Sequence, residues 1–232
     1  MDILILHGWN VEKERYSPIV RSLTKKGHRV IVEDMPGFGS EKVPVRPFRL
    51  SDYVAFVIQV IKGHRLKKPL VIGHSFGGRV AIMLAAKHPE LVSAVVLTGA
   101  PGFLPDSTAK VSLYYALARI GGIIFSLPLL VSFKDTARKL LYRMAHTTDY
   151  YRAEGIMRET FKTIIREDLE SAMKKIRVPV QIIWGEDDKT TPLWIGRKIN
   201  ETIRGSTLSI ISGGGHCVVY DRAGEFVRKM NI

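Results

Sequence analysis

Apolar residues recur along this chain in two rhythms. Short unbroken runs, of which Ile3–Leu6 stopped by His7-Gly8 is the first, read as buried strands, and longer stretches with apolar positions at helical spacing read as helices. The pattern predicts strands at Ile3–Leu6, Arg29–Glu33, Leu70–Ile72, Ala94–Leu97, Val180–Trp184 and Thr207–Ile211. Between and after them it predicts helices at Ser17–Lys26, Ser51–Lys62, Phe76–Lys87, Leu193–Ile203 and Val218–Lys229. Ser17 is a candidate cap for the first helix, Pro18 suits its first turn and Gly27 ends it. Asp34-Met-Pro-Gly-Phe-Gly-Ser40 reads as a loop from its proline and glycines.

Strands alternating with helices predict an α/β fold, a mostly parallel sheet with right-handed crossovers. The rhythm lapses after Gly102, where the pattern is helical (Thr108–Ile120, Thr136–Tyr142, Tyr151–Thr163, Glu167–Lys174), and resumes after Arg177. Residues 102–177 therefore read as a helical insertion into a core built from 1–101 and 178–232.

Composition adds a bound: 232 residues, 46% apolar and 25% charged, suit one globular α/β domain carrying an insertion. Charge raises a sharper question, since 35 Lys and Arg against 22 Asp and Glu leave a formal +13. The basic residues are scattered, the longest runs being pairs such as Lys25-Lys26, and no nucleic-acid motif accompanies them. A solvated basic surface is expected, with no nucleic-acid partner and at most weak attraction to an anionic membrane surface. Residues 111–133 are long and apolar enough to raise a membrane span, but Arg119, Gly121-Gly122 and Pro128 break them into two short helices. The single cysteine, Cys217, has no intramolecular partner, and the first residues lack a signal peptide's basic and apolar regions. The expectation is a cytoplasmic protein without integral membrane span, monomer or homodimer.

The chemistry concentrates in Gly73-His74-Ser75-Phe76-Gly77, which fits the G-x-S-x-G nucleophile elbow with an apolar strand before it and a helix behind. At such an elbow the serine turns sharply, neighbours two before and two after must be small, and the first helix N–H groups face developing negative charge. Serine needs a base, and the base needs an acid to orient it. Gly213-Gly214-Gly215-His216 offers the base in the loop after the last strand. Trp184-Gly185-Glu186-Asp187-Asp188 offers three adjacent carboxylates after the strand before it, of which spacing alone does not select one. His7-Gly8-Trp9-Asn10 follows the first strand, where the Trp9 N–H can complete an oxyanion hole with that of Phe76.

The order H-G-W, D-x-P-G-x-G-x-S, G-H-S-F-G-G, W-G-x-x-D-x-x-x-P, G-G-G-H resembles the α/β-hydrolase superfamily over essentially the whole chain, in the subgroup with a helical cap after the sixth strand. The resemblance implies Ser75 as nucleophile, His216 as base and Asp188, three residues after Gly185 and four before Pro192, as acid. It departs at the start, where related enzymes carry two more strands; a sheet of about six strands is expected. The implied activity is carboxylic ester hydrolysis through an acyl-enzyme, with no cofactor and no metal.

In this family the cap sets specificity, and here it is apolar and mildly basic, which favours short- to medium-chain acyl esters. Trp9, His74, Arg79, Leu117 and Phe125 are candidate pocket residues. Lactones, or the C–C bond of a vinylogous diketone whose carboxylate Arg79 would hold, are alternatives with the same three residues. A non-catalytic binding role on this fold is the alternative of another class.

Overall fold

The computed structural model describes residues 1–104 and 153–232. The described residues form a six-stranded sheet, β1 (Asp2–Leu6), β2 (Arg29–Val32), β3 (Leu70–His74), β4 (Ala94–Thr98), β5 (Val180–Gly185) and β6 (Thr207–Ile211), in the order β2-β1-β3-β4-β5-β6. Every neighbouring pair is parallel, for example Ile3 opposite Leu70 and Gln181 opposite Thr207. The expected fold and strand number are what the chain adopts.

The unbroken apolar runs have a physical cause, because the sheet is covered on both faces. Successive residues of β1 divide accordingly: Leu4 and Leu6 pack into one core, Ile3 and Ile5 into the other. The first core takes in α2 (Leu50–Gly63), α3 (Phe76–Lys87) and Ile199 of α6 (Leu193–Thr202). The second takes in Ile19 and Leu23 of α1 (Ser17–Lys25) and Phe226 and Val227 near the C-terminus. Each fully buried aliphatic side chain contributes roughly 1.5–3 kcal/mol, so two continuous cores, not helix propensity, hold the layers.

Three local expectations need correction. Ser17 is the first residue of α1 and makes no side-chain cap; a 3-10 turn at Lys13–Tyr16 leads straight into the helix. The second helix starts at Leu50, ahead of Ser51, because the Arg49 N–H donates to Asp52 Oδ2 at 2.8 Å and closes its first turn. The C-terminal helix is broken at Arg222 (φ −126°, ψ 41°) into α7 (Val218–Asp221) and α8 (Ala223–Lys229). There the Arg222 guanidinium donates to the carbonyls of Ser212 and Gly213, an attachment to a loop that periodicity does not register.

Of the expected insertion helices, Thr108–Ile120 and Thr136–Tyr142 lie outside the described residues, as do Leu117 and Phe125. The last two are described as α4 (Gly155–Ile165) and α5 (Glu170–Met173). This segment lies over the loop before α2 and over α3: Thr160 Oγ1 accepts the Phe48 N–H at 3.0 Å, and Glu167 Oε1 accepts the Leu50 N–H at 3.0 Å. Among the described residues no helix is long and apolar enough to cross a membrane.

Strand order places the site. From β1 the chain moves outward to β2, then returns past β1 to β3 and on to β6, so the loops after β1 and β3 diverge at a topological switch point. In open α/β sheets the crevice outside the carboxyl ends of strands at such a point is where ligands bind.

Candidate active site

Ser75 follows β3 and adopts φ 54°, ψ −116°, a conformation that L-residues reach only under constraint. The constraint is visible in the glycines around it. A Cβ on Gly73 would come within 2.7 Å of Gly78 Cα, and one on Gly77 within 2.1 Å of the Leu6 carbonyl oxygen. Helix α3 is thus pressed against β1 and β3, and the Ser75 N–H is held by the Thr98 carbonyl at 2.9 Å. Ser75 is partly exposed, and its hydroxyl has no hydrogen-bond partner among the described residues.

The N–H of Phe76 opens α3 and has no intrahelical carbonyl to reach. Gly77 N–H is used by the His7 carbonyl at 3.0 Å, whereas those of Phe76 and Trp9 have no protein partner among the described residues. His7 holds the Trp9 loop from beneath. It is fully buried, its Nδ1–H donates to the Gly8 carbonyl at 2.8 Å, and its Nε2 accepts the Met35 N–H at 2.8 Å, while burial pushes its pKa down and keeps it neutral.

Packing separates the three carboxylates after β5. Glu186 and Asp187 are exposed; Asp188 is 4% exposed. Asp188 Oδ1 accepts the N–H groups of Thr190 (2.9 Å) and Thr191 (2.8 Å), and Oδ2 accepts the Thr191 hydroxyl (2.8 Å) and His216 Nδ1 (2.8 Å). Burial opposes its charge, but the His216 and Thr191 contacts outweigh it and hold the carboxyl below the usual carboxylate range. A carboxylate on Nδ1 makes that nitrogen the N–H, leaving Nε2 of His216 as the basic atom. Glu186 has a different task, accepting from the Ser212 hydroxyl at 2.6 Å and the Gly213 N–H at 3.1 Å and so bracing the His216 loop.

The imidazole of His216 lies over Gly99, where a Cβ would meet its Cε1 at 2.7 Å. Gly99 follows the residue that holds the Ser75 N–H, so Ser75 and the His216 ring both border the end of β4. The Asp188–His216 hydrogen bond is formed, and no Ser75–His216 hydrogen bond is present.

Two pocket expectations need correction. His74 is 1% exposed with both ring nitrogens engaged inside the protein, and burial lowers its pKa to about 3. Arg79 is 2% exposed and donates to the carbonyls of Pro101, Ile164 and Glu167, joining α3 to the returning insertion segment. Burial lowers its pKa to about 10, which leaves it charged at neutral pH but spent on carbonyls. Trp9 is 6% exposed and meets Phe38 (4.8 Å), Phe76 (5.3 Å) and Phe161 of α4 (4.9 Å) edge-on. Sequence reasoning passed over Thr191 and Tyr16. Thr191 stands within the D-x-x-x-P stretch and carried a signal; Tyr16 carried none.

The family model for the alpha/beta hydrolase fold matches residues 3–223. The chain belongs to that family. This α/β hydrolase is 26% identical over 249 residues to monoacylglycerol lipase abhd6-B of Xenopus laevis, a match spanning 98% of this chain and 73% of the lipase. It is 25% identical over 251 residues to a 2-hydroxy-6-oxononadienedioate/2-hydroxy-6-oxononatrienedioate hydrolase of Burkholderia vietnamiensis, spanning 98% of this chain and 85% of that one. An esterase of Exiguobacterium antarcticum, EaEST, shares the fold of this α/β hydrolase with a TM-score of 0.76 at 20% identity, over 98% of this chain and 89% of the esterase.

The 3-10 turn that follows the H-G-W loop is tied at Lys13 to Asp34, which is 2% exposed. Burial works against its charge, but the N–H and hydroxyl of Ser40 and the N–H and ammonium of Lys13 outweigh it and hold the carboxyl below its ordinary range. A folded pKa below the unfolded value of about 3.9 gives stability that is complete above that value and lost as pH falls through the folded pKa. Urea midpoints are expected to fall between pH 5 and pH 3 by less in Asp34→Asn than in the wild type, with the variant the weaker at pH 7.

Proposed function

We propose that this α/β hydrolase cleaves carboxylic esters of short- to medium-chain acyl groups through Ser75, His216 and Asp188. The observation that carries the proposal is the contact of the buried Asp188 with His216 at 2.8 Å, set at the same strand-end edge as a serine held at φ 54°. In this reading Ser75 Oγ attacks the ester carbonyl and His216 Nε2 takes its proton. The oxyanion lies against the N–H groups of Trp9 and Phe76, which have no protein partner among the described residues. His216 then protonates the departing alcohol, and water, activated by the same nitrogen, releases the acid.

The aromatic wall of Trp9, Phe38, Phe76 and Phe161 supports an apolar acyl group, and residues 102–177, whose returning part rests on that wall, act as the cap that limits its length. The similarity to a lipase is in keeping with ester chemistry. Cleavage of a C–C bond beside a substrate carboxylate gains no support from Arg79, whose guanidinium is turned to backbone carbonyls. The test is a series of p-nitrophenyl esters from acetate to palmitate. The expected result is a kcat/KM maximum at short or medium chains; a maximum at palmitate, or no turnover by folded protein, would overturn the proposal.

A further inference from the structure

Directly before the nucleophile, His74 lies in a buried polar path that links three loops of the site. Its Nε2 is 3.1 Å from the His216 carbonyl oxygen, and its Nδ1 is 2.6 Å from the Tyr16 hydroxyl. A carbonyl only accepts, so Nε2 carries the hydrogen. Burial keeps the ring neutral, so Nδ1 is bare and accepts from Tyr16. Tyr16 is fully buried and burial raises its pKa, so it stays a phenol with one hydrogen to give. That hydrogen goes to His74, and the phenol oxygen accepts the Gly8 N–H at 2.9 Å. The direction of every bond is thereby set: Gly8 N–H to Tyr16 oxygen, Tyr16 O–H to His74 Nδ1, His74 Nε2–H to the His216 carbonyl.

The path runs directly beside the groups that the proposed acyl transfer uses. Gly8 precedes the Trp9 N–H, His74 precedes Ser75, and the far carbonyl belongs to the same residue as the basic imidazole. The rings of Tyr220 and His216 complete the enclosure, with centroids 5.7 and 5.1 Å from that of His74. We propose that Tyr16 is a positioning residue: its single hydroxyl selects the His74 tautomer that holds the His216 backbone, and the same oxygen holds the oxyanion loop at Gly8. Without that hydroxyl, His74 has no partner for a bare Nδ1. The other tautomer then competes, in which the Nε2 lone pair faces the His216 carbonyl and releases the loop.

The proposal rests on Ser75 and His216 acting as nucleophile and base, so its test is made independent of the ester substrate. A fluorophosphonate probe phosphonylates an activated serine: the P–O bond forms, fluoride leaves and His216 takes the proton. Tyr16→Phe, which keeps the ring, is expected to be labelled about 10- to 100-fold more slowly, the scale of a small misplacement of catalytic groups. On whichever ester the wild type cleaves, kcat is expected to fall with KM unchanged within about twofold. His74→Leu should behave like Tyr16→Phe, whereas His74→Gln, whose amide N–H reaches where Nε2–H stood, should recover most of the labelling rate. Tyr16→Phe labelled at the wild-type rate, a loss confined to KM, or Gln and Leu failing alike would overturn the proposal. Should the His74 variants not fold, Tyr16→Phe decides alone. Wild-type protein that labels without cleaving any ester would sink the ester reading while the labelling comparison still tests Tyr16.

Discussion

Ser75→Ala is expected to lower ester turnover by about a millionfold, the scale seen when a serine nucleophile acting in a triad is removed. The size of the effect follows from what the other parts of the proposed triad and oxyanion hole do without it: His216 has no proton to accept, and the two N–H groups polarise a carbonyl that only water can attack. Stability should separate from activity at this position. Ser75 holds φ 54°, where a Cβ is strained, so alanine keeps the strain and glycine releases it. Ser75→Gly is therefore expected to melt at or above the wild-type temperature and Ser75→Ala not to exceed it, both inactive. Calorimetry beside the ester assay reads the two properties; a glycine variant less stable than the alanine variant would mean that the strain is not in the serine.

Asp188→Asn is expected to cost about ten-thousandfold in kcat in a protein that still folds, the effect of trapping a catalytic histidine in the wrong tautomer. The direction of the trap follows from the contacts. Oδ1 receives two backbone N–H groups, from Thr190 and Thr191, so the asparagine must put its oxygen there. Its amide N–H2 then takes the place of Oδ2, facing His216 Nδ1. That nitrogen is forced to accept, the ring proton moves to Nε2, and the atom that should receive the Ser75 proton already holds one. Thr191 can turn its hydroxyl to accept from the amide, which is why folding survives. Steady-state kinetics and a melting curve check both halves. Turnover within tenfold of wild type would show that the Asp188–His216 contact does not set the tautomer during catalysis.

The elements legible in the sequence were those whose cause is local. Runs such as Ile3–Leu6 read as strands because a strand covered on both faces calls for apolar residues at successive positions, and all four of those residues are buried. The elbow was legible because Gly73 and Gly77 answer a steric demand within two residues of Ser75, and α3 begins and ends where the pattern places it. Boundaries were less legible where a distant group intervened, as at Arg222, whose attachment to Ser212 and Gly213 divides the last helix.

Within the site, the residues alone left Glu186, Asp187 and Asp188 equivalent, and resemblance selected the last by its distance from Gly185 and Pro192. Packing separates the three as well, since Asp188 is buried and meets four hydrogen-bond donors. His74 and Arg79 were misread for one common reason. A polar side chain beside a nucleophile can face the cleft or the interior, and composition and spacing are the same for both. The sequence by itself determined the layers, the elbow and the residue types on the loops at the carboxyl ends of the strands. The tertiary structure alone decided which side chains meet: the order β2-β1-β3 brings Tyr16 beneath His74, and parallel pairing of β5 with β6 brings Asp188 to His216. Those meetings join residues 58 and 28 positions apart, a separation that no local periodicity encodes.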